Sequence, residues 1–175
     1  MGARPISCGG PAPALEAPPL APPVAVEASS EENLAHLCSL FAGEVSRQIG
    51  KADDFYIGEG IPEKKLVNAT ITCRVQTGSN ERVIGLIDTT VMGSAKNALV
   101  FTNEGRICFH DDSGGFQLTW DQVKTCIMEP KMLKVIFGGH NLAQCSFDHS
   151  GSSLNSKTII TIITIFRDLY GALPL

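Results

Sequence analysis

Ser94 and Lys96 stand two residues apart in Gly93-Ser94-Ala95-Lys96, and a serine beside a lysine is a pairing that can make a hydroxyl nucleophilic. The arrangement that does so is S-x-x-K on a helix, where the spacing puts both side chains on one face. Two residues apart beside a turn they are not so placed, and no catalysis is expected of them. Asp88-Thr89-Thr90 invites an aspartyl reading, but a proton-sharing dyad needs a second carboxylate motif and none follows. Asp88 is expected instead to hydrogen-bond the turn at Gly93. His110-Asp111-Asp112, with His140 or His149, contains metal-ligand residue types. A closed zinc site wants four ligands, mostly His or Cys, and these histidines fall at predicted strand ends and loops, where polar residues collect anyway. Gly58-x-Gly60 is a fragment of a phosphate loop without its third glycine or a preceding parallel strand. The expectation is a chain with no catalytic, metal or cofactor residues, hence not an enzyme.

The cysteines add no chemistry. Cys8, Cys38, Cys73, Cys108, Cys126 and Cys145 are spread along the chain without a C-x-x-C pair, so neither zinc chelation nor a redox couple is implied. Cys108, Cys126 and Cys145 lie inside apolar runs, where a thiol behaves as a small hydrophobe. Free thiols and the absence of a continuous apolar leader in the first residues point to the cytoplasm. Met1-Gly2 does not complete a myristoylation signal, because position six is Ile6 rather than Ser or Thr.

The charge is unevenly placed. Residues 1–60 hold three Lys/Arg against eight Asp/Glu, and residues 61–175 hold eleven against ten. A near-neutral second part lacks the basic footprint of a phosphate-backbone binder, so nucleic acid is excluded as a partner.

Residues 1–28 carry seven prolines, Pro5, Pro11, Pro13, Pro18, Pro19, Pro22 and Pro23. That composition predicts a disordered Pro/Ala-rich tail. Ser29 and Glu32 form an S-x-x-E capping box, and Leu34, Leu37, Cys38, Phe41, Val45 and Ile49 mark one helical face that ends at Gly50. Pro62 suits the first position of a second helix, with Leu66, Ala69 and Cys73 inward. Residues 29–75 therefore read as a helical prefix. From residue 81 the pattern changes to short apolar runs, 83–91, 98–102, 106–110, 116–120, 123–128, 133–137 and 143–147, separated by turn residues. Last comes a helix whose polar stripe is Lys157, Thr161, Thr164 and Asp168, with Ile159, Ile160, Ile162, Ile163, Phe166 and Leu169 on the apolar side. It is too short to span a bilayer.

Several short strands followed by one helix is the outline of the pleckstrin-homology superfold, and two strings sharpen the likeness. Phe55-Tyr56-Ile57-Gly58-Glu59-Gly60-Ile61-Pro62-Glu63-Lys64-Lys65-Leu66, with Asn68-Ala69, and Leu86-Ile87-Asp88-Thr89-Thr90-Val91-Met92-Gly93-Ser94-Ala95-Lys96, with Leu99, Phe101, Thr102 and Gly105, resemble a group of small bacterial proteins. Their domain is pleckstrin-homology-like and related in layout to GRAM domains. Trp120-Asp121-Gln122-Val123 resembles the start of a later strand there. Met92 departs from the group, which has an aromatic at that place. The resemblance covers about residues 55–170. It implies an α+β fold: a pleckstrin-homology-like β-barrel of about seven short antiparallel strands over residues 81–175, closed by a C-terminal helix and preceded by two helices.

Lipid-headgroup binding, the familiar use of such domains, needs several cations converging near the first hairpin. Here only Lys96 lies there, with Arg82 and Arg106 on neighbouring strands. These three are the candidate ligand or partner surface. The functional expectation is a non-catalytic module that binds an unknown protein partner, with peripheral membrane binding through lipid headgroups as the alternative and an enzyme third.

Overall fold

A computed structural model describes residues 26–75, 80–111, 114–140 and 142–173, with side chains from residue 31 onward. The predicted tail falls mostly outside these residues. Its last part does not, because the first helix, α1, spans Val26–Gln48. Ser29 therefore lies inside the helix, not at its cap.

After α1 come β1 (Phe55–Ile57), a 3-10 turn at Gly58–Gly60 and α2 (Glu63–Thr72). Pro62 is the N-cap of α2 and not its first residue. Four strands follow, β2 (Val83–Asp88), β3 (Ala98–Thr102), β4 (Ile107–Asp111) and β5 (Gly114–Leu118). A short helix α3 (Trp120–Thr125) leads to β6 (Ile127–Pro130), β7 (Lys134–Gly139) and β8 (Leu142–Asp148), and α4 (Ser156–Ala172) ends the fold.

The strands form two antiparallel sheets. One has five strands in the order β1-β2-β3-β4-β5, and the other has three in the order β6-β7-β8. Neither closes, so the expected barrel is wrong. The cause lies at residues 119–126. Thr119 and Gln122 make a capping box, the Thr119 amide donating to Gln122 Oε1 at 3.0 Å, and this starts a helix where a strand over 123–128 was expected. Val123 is buried on that helix. The chain is thereby turned out of the first sheet, and β6 opens a second one instead of extending the ladder. β1 is the other departure: it lies in the predicted helical prefix, yet pairs with β2 through Tyr56↔Leu86.

Alternation along the strands, shifted on β2 by a bulge between Val83 and Gly85, divides the five-stranded sheet between two cores. Ile84, Ile87, Leu99, Phe101, Ile107 and Phe109 join the larger one with α1, α4 and the second sheet. Leu86, Ala98, Val100 and Cys108 face the other way, toward Ala69 and Cys73 of α2. In the larger core Phe41 meets Phe55, Phe101 and Phe166 at centroid distances of 5.5, 5.5 and 5.7 Å. Gly85 makes room for this cluster, since a Cβ there would sit 3.0 Å from the Phe41 ring and 3.2 Å from that of Phe101.

The C-terminal helix forms as its pattern predicts. Asn155 caps it by accepting from the Thr158 amide at 3.0 Å, and Ile159, Ile162, Ile163, Ile165, Phe166 and Tyr170 are buried. It seals the larger core rather than a barrel end. Among the described residues no helix is long and apolar enough to cross a membrane.

Candidate functional site

A cleft of about 1260 Å³ lies between α1 and α2. One wall is α1, which presents two adjacent rows at four-residue steps, Leu34-Cys38-Ala42 and Glu31-Ala35-Ser39. Ala35, Ser39 and Ala42 are small, so the wall stays low and the cleft stays open. Leu66 and Thr70 of α2 face it, and Ile57, Val75 and Val83 line it below. Gly58 seats the 3-10 turn against α1. Its φ is +54°, and a Cβ there would lie 3.3 Å from both Cβ and Sγ of Cys38, so any side chain would be strained and would press α1 away. Cys38 is half-buried, and burial raises its thiol pKa. At neutral pH it is an apolar lining group, not a nucleophile.

Carboxylates surround the apolar lining. Glu31, Glu32 and Glu59 are exposed at the mouth. Glu81, at the base, is buried and paired with Arg106, Nη1 to Oε2 at 3.2 Å. Arg106 also donates to Gln117 Oε1 at 2.8 Å and to Cys108 Sγ at 3.4 Å. It is thus held inward on three partners and is not presented to an outside ligand.

The three cations expected to form one surface are divided. Arg82 and Arg106 flank the β3–β4 turn: the Arg82 amide donates to Asn103 Oδ1 at 2.6 Å, and Arg82 Nη1 reaches the Glu81 carbonyl at 3.0 Å. Lys96 is exposed before the other end of β3. The five residues of β3 separate the two positions by about 17 Å at the usual strand rise. No shared phosphate could bridge that distance.

At the Lys96 end a different network appears. Asp88 is buried and pairs with Lys65 of α2, Nζ to Oδ2 at 2.5 Å. Its Oδ1 accepts from the Thr90 amide and hydroxyl at 2.9 and 2.6 Å and from the Ala95 amide at 3.2 Å. Asn68 donates to the Ser94 carbonyl at 2.8 Å. Asp88 thus braces the β2–β3 loop through Thr90 and Ala95, and the Ser94 amide donates to Thr90 Oγ1 at 2.6 Å. The brace holds Val91 and Met92 outward, 85% and 90% exposed.

Of the metal-ligand candidates, Asp112 lies outside the described residues. His149 is buried, with Nε2 2.7 Å from Ser156 Oγ. Nucleophile and base types meet here, a pairing the sequence reading missed because only the β8–α4 connection brings them together. Ser156 also donates to the Lys131 carbonyl, so its proton is spent on backbone and the pair fastens α4 to the β6–β7 turn. Among the described residues no group of three or more His, Cys, Asp or Glu side chains is placed to hold a metal ion. Cys38, Cys73, Cys108, Cys126 and Cys145 are free thiols, and Cys8 lies outside the described residues. Burial, with the neighbouring Cys108, pushes the Cys73 thiol up to about 12.

The chain matches no family model, no curated protein and no solved structure. Nothing in these comparisons supports the likeness to the bacterial group, and the cleft must be read from its own chemistry.

Sequence reasoning did not find that cleft. Its signals were present in the four-step row of Leu34, Cys38 and Ala42 and in the acidic excess of the first 60 residues. What they lacked was α2, whose position across from them depends on the sheet.

Proposed function

We propose that the chain is a non-catalytic binding module that takes a segment of a partner protein into the α1–α2 cleft. The observation that carries this reading is a largely apolar lining that the described residues leave uncovered over about 1260 Å³. That exceeds the roughly 300–1,000 Å³ of small-molecule pockets and suits a peptide segment. The residues around it support binding over catalysis, since its thiol is protonated and its buried carboxylate is committed to Arg106. The free thiols favour a reducing compartment, the cytoplasm, and the near-neutral charge of residues 61–175 favours protein over nucleic acid.

The test is a photo-crosslinking side chain at Ala35, inside the cleft, compared with one at exposed Lys124 on α3, both in the native host. A protein adduct specific to position 35, and lost when Ala42→Trp narrows the cleft, is the expected result. Equal adducts at both positions would refute the site.

A second reading, contact with a membrane surface, is favoured by the held-out Val91 and Met92 beside Lys96. It expects the protein to sediment with anionic vesicles and Met92→Asp to abolish this. No sedimentation at low salt ends that reading.

A further inference from the structure

The rim narrows the class of partner, and this step rests on the cleft being the binding site. Glu31 and Glu32 stand on α1 and Glu59 on the 3-10 turn, all exposed, around one apolar lining. Among the described lining residues the single base is Arg82, which already donates to the Glu81 carbonyl. Carboxylates gathered at one opening repel each other, and cations placed among them relieve that repulsion. Lysine and arginine fit the place doubly, because their aliphatic stems can lie on apolar surface while their charges stay at the rim.

Length sets the shape. From Glu31 to Ala42 the α1 wall extends about 17 Å at the helical rise, or three turns. A helix of that length with its side chains displaces roughly 1,300 Å³, the same order as the cleft. Helix-in-groove recognition places an apolar stripe on such a floor and leaves charges at the edges.

We infer that the partner's segment is a basic amphipathic helix of about three turns, its apolar stripe on Leu34, Cys38 and Val83 and its cations at Glu31, Glu32 and Glu59.

The test uses fluorescence polarisation of two labelled amphipathic helical peptides, one of leucine and lysine and one of leucine and glutamate, against the full chain. Three variants accompany it, with folding checked by thermal melting. One carries Glu31→Lys, Glu32→Lys and Glu59→Lys. A second carries Asp121→Lys, Glu129→Lys and Asp168→Lys, an equal charge change at exposed positions elsewhere. The third is Ala35→Trp, which fills the cleft. The lysine peptide should bind more tightly than the glutamate peptide by about tenfold. Reversal at the rim should invert that preference, reversal elsewhere should leave it, and Ala35→Trp should abolish binding of the lysine peptide. If the glutamate peptide binds as well as the lysine peptide, or both reversals act alike, while Ala35→Trp still blocks, the cleft stands and the basic partner is wrong. If Ala35→Trp changes nothing, the cleft is not the site and the underlying reading falls too.

Discussion

The two faces of the five-stranded sheet are built on different terms. One carries large side chains, with Phe101 and Phe166 at 5.0 Å and Phe41 against both. The other has no buried aromatic among the described residues: Leu86, Ala98, Val100 and Cys108 meet Ile61, Ala69, Cys73, Val75 and Ala95, and beside them stand the ion pairs Lys65–Asp88 and Glu81–Arg106. Small side chains bring less apolar area out of water, so this face gains less stability per residue. What it gains is position: each ion pair ties α2 or the start of β2 to a particular strand or loop. The candidate cleft draws on both: Leu34, Cys38 and Ile57 of its lining pack against the aromatic core, and Leu66, Val75 and Val83 belong with the smaller one.

Neighbours on β3 offer the sharpest test, because Phe101 and Val100 point to opposite faces. Phe101→Ala should cost about 3–5 kcal/mol in urea unfolding, by loss of contacts and a residual cavity. Ile163→Asp, an unpaired charge in the same core, should abolish cooperative unfolding. Val100→Ala should cost only about 2 kcal/mol. Equal losses at 100 and 101 would erase the distinction between the faces.

Asp88→Asn comes next. Asparagine keeps Oδ1 as an acceptor for Thr90 and Ala95 but leaves the Lys65 ammonium without its counter-charge. Because the Lys65 side chain keeps some contact with solvent, 16% exposed, the expected loss is about 1–2 kcal/mol, below that for a wholly buried pair. Adding Lys65→Met should recover part of it. A neutral Asp88→Asn would mean that packing alone holds the small-residue face.

The smallest effect is that of pH on the second sheet. Burial lowers the His149 pKa, while in the unfolded chain histidine titrates near about 6.5. Between those values the unfolded state binds more protons, so unfolding is favoured as pH falls. The contribution of neutral His149 is therefore complete above about 6.5 and is lost on acidification, at no more than about 1.4 kcal/mol per pH unit. Melting temperatures from pH ~7.5 to ~5.5 should show this slope, and His149→Gln should flatten it. An unchanged slope would assign the titration to another group.

Elements with long, regular patterns were legible in the sequence. The stripe of Lys157, Thr161, Thr164 and Asp168 defined α4, and Leu37, Phe41 and Val45 defined the buried side of α1. Elements set by a few residues were not. β1 is three residues long, too short for alternation to register. Thr119 and Gln122 were overlooked because the apolar run from Val123 reads as strand. Closure of a sheet depends on where the chain leaves its edge, which no apolar period records. The ion pairs join residues 23 and 25 positions apart, and only the registers bring them together. For the same reason Arg82, Arg106 and Lys96 looked like one surface until β3 was seen to stand between them.

Phe41 lies near the beginning of the described chain and Phe166 near its end, yet their rings are 5.7 Å apart. Helix α4 thus covers aromatic side chains, Phe41 and Phe55, that precede it far back in the chain. A growing chain carries Phe41, Phe55 and Phe101 without their lid until α4 emerges, and apolar surface uncovered in that interval is prone to aggregate. Such distant closure also costs loop entropy before it is rewarded, so the finished fold should assemble late and in one step.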